Sequence, residues 1–183
     1  MIPHENILLL GERNIGKTTM LKRIVDELLS AGFRVFVIDS ATAHHERSLS
    51  VQISKQRSIP IWDGSKIHDA SSRSKITLYD VSHHLENSYN FQPGPERDSE
   101  RKRYIMDVQC ILHDFIQIWD RESKVCFVMD EIEIDDSISN SIAELNANGC
   151  YFFNSLHPQQ LETSSIKDHF TIVSMPSEMC KLF

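Results

Sequence analysis

The chain has 183 residues, of which 40% are apolar and 25% are charged, and its formal net charge is −7 at pH 7. The length suffices for the core of one α/β domain, and the negative charge argues against a protein that coats nucleic acid through bulk positive charge. No apolar run is long enough to cross a bilayer, and the start, MIPHEN, does not read as a signal peptide. We therefore expect a cytoplasmic protein with a single domain over residues 1–183.

Cysteine usage shows neither a disulfide framework nor a zinc motif. The four cysteines are far apart, without a C-x-x-C pair, and they are Cys110, Cys126, Cys150 and Cys180. Cys126 and Cys150 lie in or beside apolar runs. We expect small buried thiols in a reducing compartment, not bridges or metal ligands.

The first forty residues have the pattern of a βαβ unit. Ile7–Leu10 is a short apolar run that ends at Gly11, which predicts a buried parallel strand. Lys17–Ser30 carries apolar residues at spacings of three and four, which predicts an amphipathic helix ended by a left-handed Gly32. Arg34–Ile38 (RVFVI) predicts a second strand, parallel to the first.

The middle of the chain is less regular. Residues 40–75 are rich in serine and histidine, and we expect irregular structure there with one helix and one short strand. The short strand would come from Ile59–Trp62 (IPIW), where Pro60 restricts it to an edge of the sheet. A clearer strand is predicted at Ile76–Val81 (ITLYDV).

The second half of the chain continues the alternation of helix and strand. Apolar residues from Ile105 to Trp119 recur at helical spacing, which predicts a helix with one face on the sheet. Buried strands are predicted at Lys124–Met129, Cys150–Phe153 and Phe170–Val173. Together these elements predict an α/β fold with a mainly parallel central sheet and helices on both faces.

The segment between the first strand and the first helix matches G-x-x-x-x-G-K-[ST], the pattern of a phosphate-binding loop. Gly11 and Gly16 allow the backbone to aim N–H groups at phosphate oxygens, and the helix N-terminus adds partial positive charge. Lys17 can reach the β- and γ-phosphates, and the Thr18 hydroxyl can bind Mg²⁺. The predicted nucleotide-binding residues are Gly11, Glu12, Arg13, Asn14, Ile15, Gly16, Lys17, Thr18 and Thr19.

An acidic pair, Asp130 and Glu131, follows the strand predicted at Lys124–Met129. It therefore lies at the carboxyl edge of a parallel sheet, where ligands bind. Asp130 is predicted to hold Mg²⁺ together with Thr18, and Glu131 to polarise a water for attack on the γ-phosphate. The alternative for this pair is an acidic helix cap. A solvated acidic turn is predicted for the residues that follow, which are Glu133, Asp135 and Asp136.

Five segments, in order along nearly the whole chain, resemble the HerA–FtsK superfamily of DNA-pumping ATPases, which includes viral genome-packaging and conjugation motors. The segments are IPHENILLLGERNIGKTT, RVFVIDSATAH, SKITLYDVSHH, FVMDEIEI and NGCYFFNSLHPQQL. The resemblance implies a RecA-like P-loop NTPase fold with ATP and Mg²⁺ as cofactors. It also implies a homo-oligomer that works on DNA.

The last of these segments departs from the family at its strand end. Leu156 stands where the family usually has a sensor glutamine, and His157 replaces the usual arginine. The resemblance makes Asn154 the candidate γ-phosphate sensor, and hence a catalytic residue beside Lys17 and Glu131. For His157 the alternatives are a hydrogen bond to phosphate and an ordinary surface histidine.

Two other groups of polar residues have open or structural interpretations. The first group is a basic cluster with three alternative interpretations. It is an arginine finger for a neighbouring subunit, a contact to a phosphate backbone, or solvated surface. This cluster consists of Arg97, Arg101, Lys102 and Arg103. The histidine pairs at 44–45 and 83–84 are not expected to bind zinc, because adjacent side chains diverge and further ligands are required.

Three functions are compatible with these patterns. The first is an ATPase that works as a small HerA–FtsK-like DNA translocase or packaging-type motor. The second is a small nucleotide or metabolite kinase in which Pro93–Arg103 forms a lid. Glu131 disfavours the kinase, because a kinase must keep water from the phosphate. The third is a nucleotide-dependent signalling switch with slow turnover and no response to DNA.

Overall fold

The structure is a computed structural model that describes residues 3–40, 46, 48–63, 74–81, 95–118, 124–161 and 169–175, with side chains of the helix at 95–118 described for 103–116. The strands are β1 Ile7–Leu10, β2 Arg34–Asp39, β3 Ile61–Asp63, β4 Ile76–Asp80, β5 Val125–Asp130, β6 Tyr151–Leu156 and β7 Thr171–Ser174. The helices are α1 Lys17–Ser30, α2 Leu49–Arg57, α3 Pro95–Ile118, α4 Asp136–Ala147 and α5 Pro158–Leu161.

The seven strands form one sheet in the order β3-β4-β2-β5-β6-β1-β7. All six neighbouring pairs are parallel, so every strand ends at the same edge of the sheet. Strand β6 lies between β1, which leads into the glycine-rich loop, and β5, which ends in the acidic pair. This order confirms the predicted α/β class, and β3 is at an edge of the sheet as Pro60 required.

Two apolar layers cover the sheet, one on each face. The first layer contains α1 and α2, with Leu21 and Leu49 fully buried in it. The second layer contains α3 and α4, with Leu112 and Ile142 fully buried. Because alternate side chains of a strand point to opposite faces, each strand contributes to both layers. The prediction of helices on both faces is therefore confirmed.

Several predicted bounds are confirmed within one or two residues. Strand β1 and helix α1 have the predicted limits, and Gly32, just after α1, has φ 85°. Strand β6 is longer than predicted at its carboxyl end, because the polar residues Asn154 and Ser155 continue the ladder beside β1 and β5. The segment from Pro95 onward is the start of helix α3, so the part of the proposed kinase lid that the structure describes is helical.

The acidic residues after Glu131 have a different role from the predicted turn. Asp135 is the N-cap of α4, since its Oδ1 accepts hydrogen bonds from the N–H groups of Ser137 and Ile138 at 3.1 and 2.9 Å. Asp136 is the first residue of the helix. A carboxylate at this position stabilises the first turn by satisfying N–H groups that lack partners within the helix. The helix α4 itself was not predicted.

The cysteines fulfil the expectation only in part. Cys126 and Cys150 are buried in the core, where burial raises the pKa of Cys126 well above its usual value and that of Cys150 to about 12. Cys110 is exposed on α3, so its expected burial is wrong. The remaining predictions lie outside the described residues; they concern His44, His45, His83, His84, Trp119, Cys180 and the side chains of Arg97, Arg101 and Lys102.

No helix among the described residues has both the length and the apolar composition needed to cross a membrane. Trp62 is partly buried and packs against the second apolar layer.

Asn6, just before β1, links this strand to its two neighbours, β6 and β7. Its Oδ1 accepts from the N–H of Phe152 at 3.0 Å, and its Nδ2 donates to the carbonyl of His169 at 3.0 Å. Its own carbonyl accepts from the N–H of Thr171 at 2.9 Å. The side chain is almost fully buried, so it aligns the start of the phosphate-loop strand with β6 and with the segment before β7.

We expect Asn6→Ala to lower the free energy of unfolding by roughly 2–4 kcal/mol, because it leaves a buried N–H and a carbonyl unpaired. Urea denaturation measures this loss. Asn148→Ala is the matched control, since the Asn148 amide donates to the carbonyl of Glu144 at an exposed position, and we expect about 1 kcal/mol or less there. Equal losses in both variants would contradict the role of Asn6.

Candidate functional site

The loop between β1 and α1 depends on its two glycines for different reasons. A Cβ at Gly11 would overlap the side chain of Ile15 and approach the Cβ of Met175 to 3.4 Å. Ile15 is itself buried and has little room to move. Gly16 has φ 93°, in the left-handed region that strongly favours glycine. The loop is therefore tightly folded against the sheet, and Gly11 is tied to β6 by a hydrogen bond from its N–H to the carbonyl of Leu156 at 3.2 Å.

The N-terminus of α1 has the features of an anion site. Gly16 is the N-cap and offers no side-chain hydrogen bond to the helix. The hydrogen bond that begins the helix runs from the N–H of Met20 to the carbonyl of Gly16, at 2.9 Å. The preceding helical N–H groups have no acceptor within the helix, and they carry the positive end of its dipole. Such an end binds phosphate groups well.

Lys17 is the most buried cation of the loop, with 5% of its surface exposed. Its ammonium group donates to the carbonyls of Gly11 at 2.8 Å and Glu12 at 3.0 Å, so it lies against the inner side of the loop. Burial lowers the pKa of Lys17, and the nearby carboxylates of Glu131 and Asp130 act against this change. A phosphate group would favour the charged form in the same way.

Thr18 and Asp130 meet at the carboxyl edge although 112 residues separate them. The Thr18 hydroxyl donates to Asp130 Oδ2 at 2.9 Å, and the Ser155 hydroxyl donates to Asp130 Oδ1 at 2.5 Å. Burial raises the pKa of Asp130, and these two hydrogen bonds act against the rise. A carboxylate with two hydroxyls is an all-oxygen donor set, which suits Mg²⁺. A bound cation would also favour the ionised carboxylate.

Asp130 is one of four aspartates that end neighbouring strands at one level. The register pairs Asp63 of β3 with Asp80 of β4, Asp80 with Asp39 of β2, and Asp39 with Asp130 of β5. They differ in their contacts, because Asp39 Oδ2 accepts from the N–H and hydroxyl of Ser50 at 2.8 and 2.9 Å and so holds the start of α2. Asp130 contacts the phosphate loop through the Thr18 hydroxyl.

Glu131 has an unusual backbone that its neighbours hold in place. Its φ is 58°, a left-handed value that is uncommon for a residue other than glycine. Its N–H donates to the carbonyl of Ser155 at 3.1 Å, and its carbonyl accepts from the Ser40 hydroxyl at 3.0 Å. Such strained residues persist where the surroundings fix them, and they are concentrated at functional sites.

His157 connects the side chain of Glu131 to the phosphate loop. Glu131 Oε1 lies 2.9 Å from His157 Nε2, and His157 Nδ1 lies 3.5 Å from Lys17 Nζ. The backbone N–H of His157 donates to Gln160 Oε1 at 2.8 Å, which fixes the start of α5. His157 is only 8% exposed, so the interpretation of an ordinary surface histidine is wrong.

Asn154, the predicted sensor, is not part of this cluster. Its side chain is fully buried and donates through Nδ2 to the carbonyl of Ile132 at 2.9 Å, while Oδ1 has no partner among the described residues. In β6 the side chain of Asn154 points to the opposite face from that of Ser155. The contacts described for Asn154 do not support its predicted role as a γ-phosphate sensor. Ser155 and His157 occupy the positions next to the loop.

The other predicted loop residues surround the site from the outside. Ile15 packs into the first apolar layer, and Glu12, Arg13, Asn14 and Thr19 are exposed. Asn14 has φ 62°, a conformation that asparagine tolerates better than most residues. The structure therefore brings Lys17, Thr18, Asp130 and Glu131 together at the carboxyl edge of the sheet.

Three site residues were not predicted from the sequence, namely Ser40, Ser155 and Gln160. Ser40 directly follows β2, and a polar residue at a strand end of a parallel sheet is a signal that was available. Ser155 is a polar residue next to Asn154 in β6, and the sequence pattern gives it no distinct role. Gln160 carries no pattern of its own, because its contact depends on the bend that α5 makes after His157.

The chain has the α/β fold of P-loop NTPases. No family model matches it, and no curated protein matches it significantly. Among solved structures it is similar to the genome packaging NTPase B204 from Sulfolobus turreted icosahedral virus 2 in complex with AMP, with a TM-score of 0.49, 13% identity, and 86% of this chain and 67% of that chain covered.

The same packaging NTPase is also matched in complexes with other ligands. Its complex with ATP-gammaS gives a TM-score of 0.48 and 13% identity over 86% of this chain and 66% of that chain. Its complex with sulfate gives a TM-score of 0.48 and 11% identity over 90% of this chain and 72% of that chain. The chain thus spans about two thirds of the length of these proteins.

Proposed function

We propose that the chain is an Mg²⁺-dependent ATPase. The observation that supports this most is the connected set of contacts at the carboxyl edge. Thr18 bonds to Asp130 there, and Lys17 reaches Glu131 through His157. A cation, a hydroxyl and two carboxylates are the groups that phosphoryl transfer to water requires, and here they converge on the N-terminus of α1.

The loop residues 11–19 bind the triphosphate in this proposal. Backbone N–H groups of the loop and of the first turn of α1 hold the phosphate oxygens, and Lys17 contacts the β- and γ-phosphates. Thr18 and Asp130 hold Mg²⁺, with Ser155 keeping the Asp130 carboxylate in position. When bound, Mg²⁺ neutralises negative charge on the phosphates.

Glu131 is the group that activates water. Its backbone is held by Ser155 of β6 and by Ser40, which directly follows β2, so the backbone that carries the carboxylate is fixed next to the phosphate site. A carboxylate here can accept a proton from the attacking water. A kinase has to exclude water from the γ-phosphate, and the placement of Glu131 therefore favours hydrolysis over transfer to a small acceptor.

We further propose that the energy of hydrolysis drives a HerA–FtsK-like motor on DNA, with several copies of the chain assembled as a homo-oligomer. This part follows from the sequence resemblance, which extends over five segments in order. The exposed Arg103 near the start of α3 belongs to the basic cluster that would face DNA or a neighbouring subunit. The contacts at the edge of the sheet support ATP hydrolysis. They give no information about the molecule on which the ATPase acts.

The experiment is ATP hydrolysis by the whole chain, followed as phosphate release. We expect activity with Mg²⁺, loss of activity when EDTA removes the metal, and a several-fold rise when duplex or single-stranded DNA is added. Hydrolysis without any response to DNA would contradict the motor and leave the ATPase in place. Absence of both nucleotide binding and hydrolysis would contradict the whole proposal.

A further inference from the structure

All three N–H donors of the Lys17 ammonium group have a partner. Two are the carbonyls of Gly11 and Glu12, at 2.8 and 3.0 Å, and the third is His157 Nδ1 at 3.5 Å. A phosphate oxygen that binds Lys17 must replace one of them. The imidazole contact is the longest, so it is the weakest of the three and the least costly to exchange.

One neutral form of His157 satisfies both of its neighbours. Lys17 can only donate, so Nδ1 must accept, and an ionised Glu131 can only accept, so Nε2 must carry the proton and donate at 2.9 Å. The result is a hydrogen-bonded chain from Lys17 through His157 to Glu131. The hydrogen bond from the backbone N–H of His157 to Gln160 fixes the backbone that carries the imidazole.

We propose that His157 is a positioning residue, which holds Glu131 near Lys17 until a triphosphate takes over the contact to Lys17. This inference rests on the proposed nucleotide binding by the loop. Through the imidazole, the carboxylate of Glu131 balances the charge of Lys17. A γ-phosphate at Lys17 brings a second anion into the same place, and the two anions repel each other.

The release of Glu131 therefore depends on the γ-phosphate. A nucleotide without that group leaves the contact between Lys17 and His157 in place, and Glu131 stays where His157 holds it. A triphosphate breaks the contact and frees the carboxylate to meet a water. His157 thus couples the presence of the substrate to the position of the group that activates water, and it does so without contacting the reacting atoms itself.

The first test observes the imidazole directly, by NMR of protein with ¹⁵N-labelled histidine. The chain has nine histidines, and the signals of His157 are those missing from His157→Gln. We expect protonated Nε2 and unprotonated Nδ1 without nucleotide, a clear shift of Nδ1 with a non-hydrolysable ATP analogue and Mg²⁺, and no such shift with AMP. The opposite tautomer, or no shift with an analogue that binds, would overturn the proposal.

Failure of the analogue to bind would instead overturn the proposed nucleotide site. The tautomer without nucleotide still decides whether the chain of hydrogen bonds exists, so the two failures are distinguishable.

The second test compares His157→Leu with His157→Gln. Leucine removes both hydrogen bonds, and these stabilise only the form without triphosphate, so we expect the ATP analogue to bind about three- to ten-fold more tightly. AMP affinity should stay the same. Glutamine can accept from Lys17 and donate to Glu131, so it should restore the affinity of the wild type. Weaker or unchanged analogue binding by a folded His157→Leu, checked by thermal melting, would overturn the positioning role.

Discussion

Lys17→Ala is expected to slow ATP hydrolysis by about 10²–10³-fold, a loss typical for removal of one donor that stabilises a developing negative charge. Triphosphate binding should weaken more than AMP binding, because Lys17 is the cation nearest to the predicted position of the γ-phosphate. The ammonium group is buried against the loop and lies within reach of His157. Phosphate release and competition binding measure the two effects.

The matched control for this change is Lys22→Ala. Lys22 is on the same helix α1, one and a half turns further along, and it is partly exposed. Both variants lose one positive charge from the helix, but only Lys17 lies in the loop. We expect Lys22→Ala to hydrolyse ATP at nearly the wild-type rate. Equal losses in the two variants, or activity retained in Lys17→Ala, would contradict the assignment of the loop.

Glu131→Gln is expected to lower kcat by about 10²–10⁴-fold while nucleotide binding is retained. The amide has nearly the shape of the carboxylate and can still accept a hydrogen bond from His157, but it cannot accept a proton from water. The left-handed backbone should persist, because Ser155 and Ser40 hold it through main-chain groups of residue 131. Single-turnover hydrolysis separates the chemical step from binding and release.

Glu133→Gln provides the same substitution two residues further along. Glu133 Oε1 lies 3.5 Å from Gln160 Nε2, on the outer side of the cluster. We expect little change in kcat for this variant. If Glu131→Gln retained wild-type hydrolysis, another group would activate the water and the role of Glu131 would be wrong. If both variants lost activity equally, the effect would arise from the charge of the whole segment.

The phosphate loop is the part of the site that local sequence predicted best. Its conformation depends on Gly11 and Gly16 and on the apolar strand and amphipathic helix at its two ends, all within about 25 residues. The structure has β1 and α1 at the predicted limits and a left-handed Gly16. Each of these features is a preference of neighbouring residues, so a short stretch of sequence is sufficient to predict it.

The contact between Thr18 and Asp130 was predictable for a different reason. The two residues are far apart in the chain, but both follow strands of one parallel sheet, and all strands of such a sheet end at the same edge. The predicted parallel sheet therefore also predicted that Thr18 and Asp130 lie close together. The strand order adds that β6 lies between β1 and β5, which is how Ser155 comes to bond Asp130.

The prediction of Asn154 as a γ-phosphate sensor depended on which face of the sheet its side chain occupies, and the sequence does not give that face. Asn154 and Ser155 are adjacent and both polar, and side chains that are adjacent in a strand point to opposite faces. Which face carries the loop depends on whether α1 packs above or below the sheet. In the structure Ser155 bonds Asp130 on the α1 face, and Asn154 bonds the carbonyl of Ile132 on the other face.

By itself, the sequence determined the α/β class, the phosphate loop with Lys17, and the acidic pair Asp130 and Glu131. These depend on backbone preferences of neighbouring residues and on the common edge of parallel strands. Only the tertiary structure decided the strand order, the left-handed backbone of Glu131 and the place of His157 between Glu131 and Lys17. Those features arise from contacts between residues distant in the chain, which depend on how the helices pack on each face.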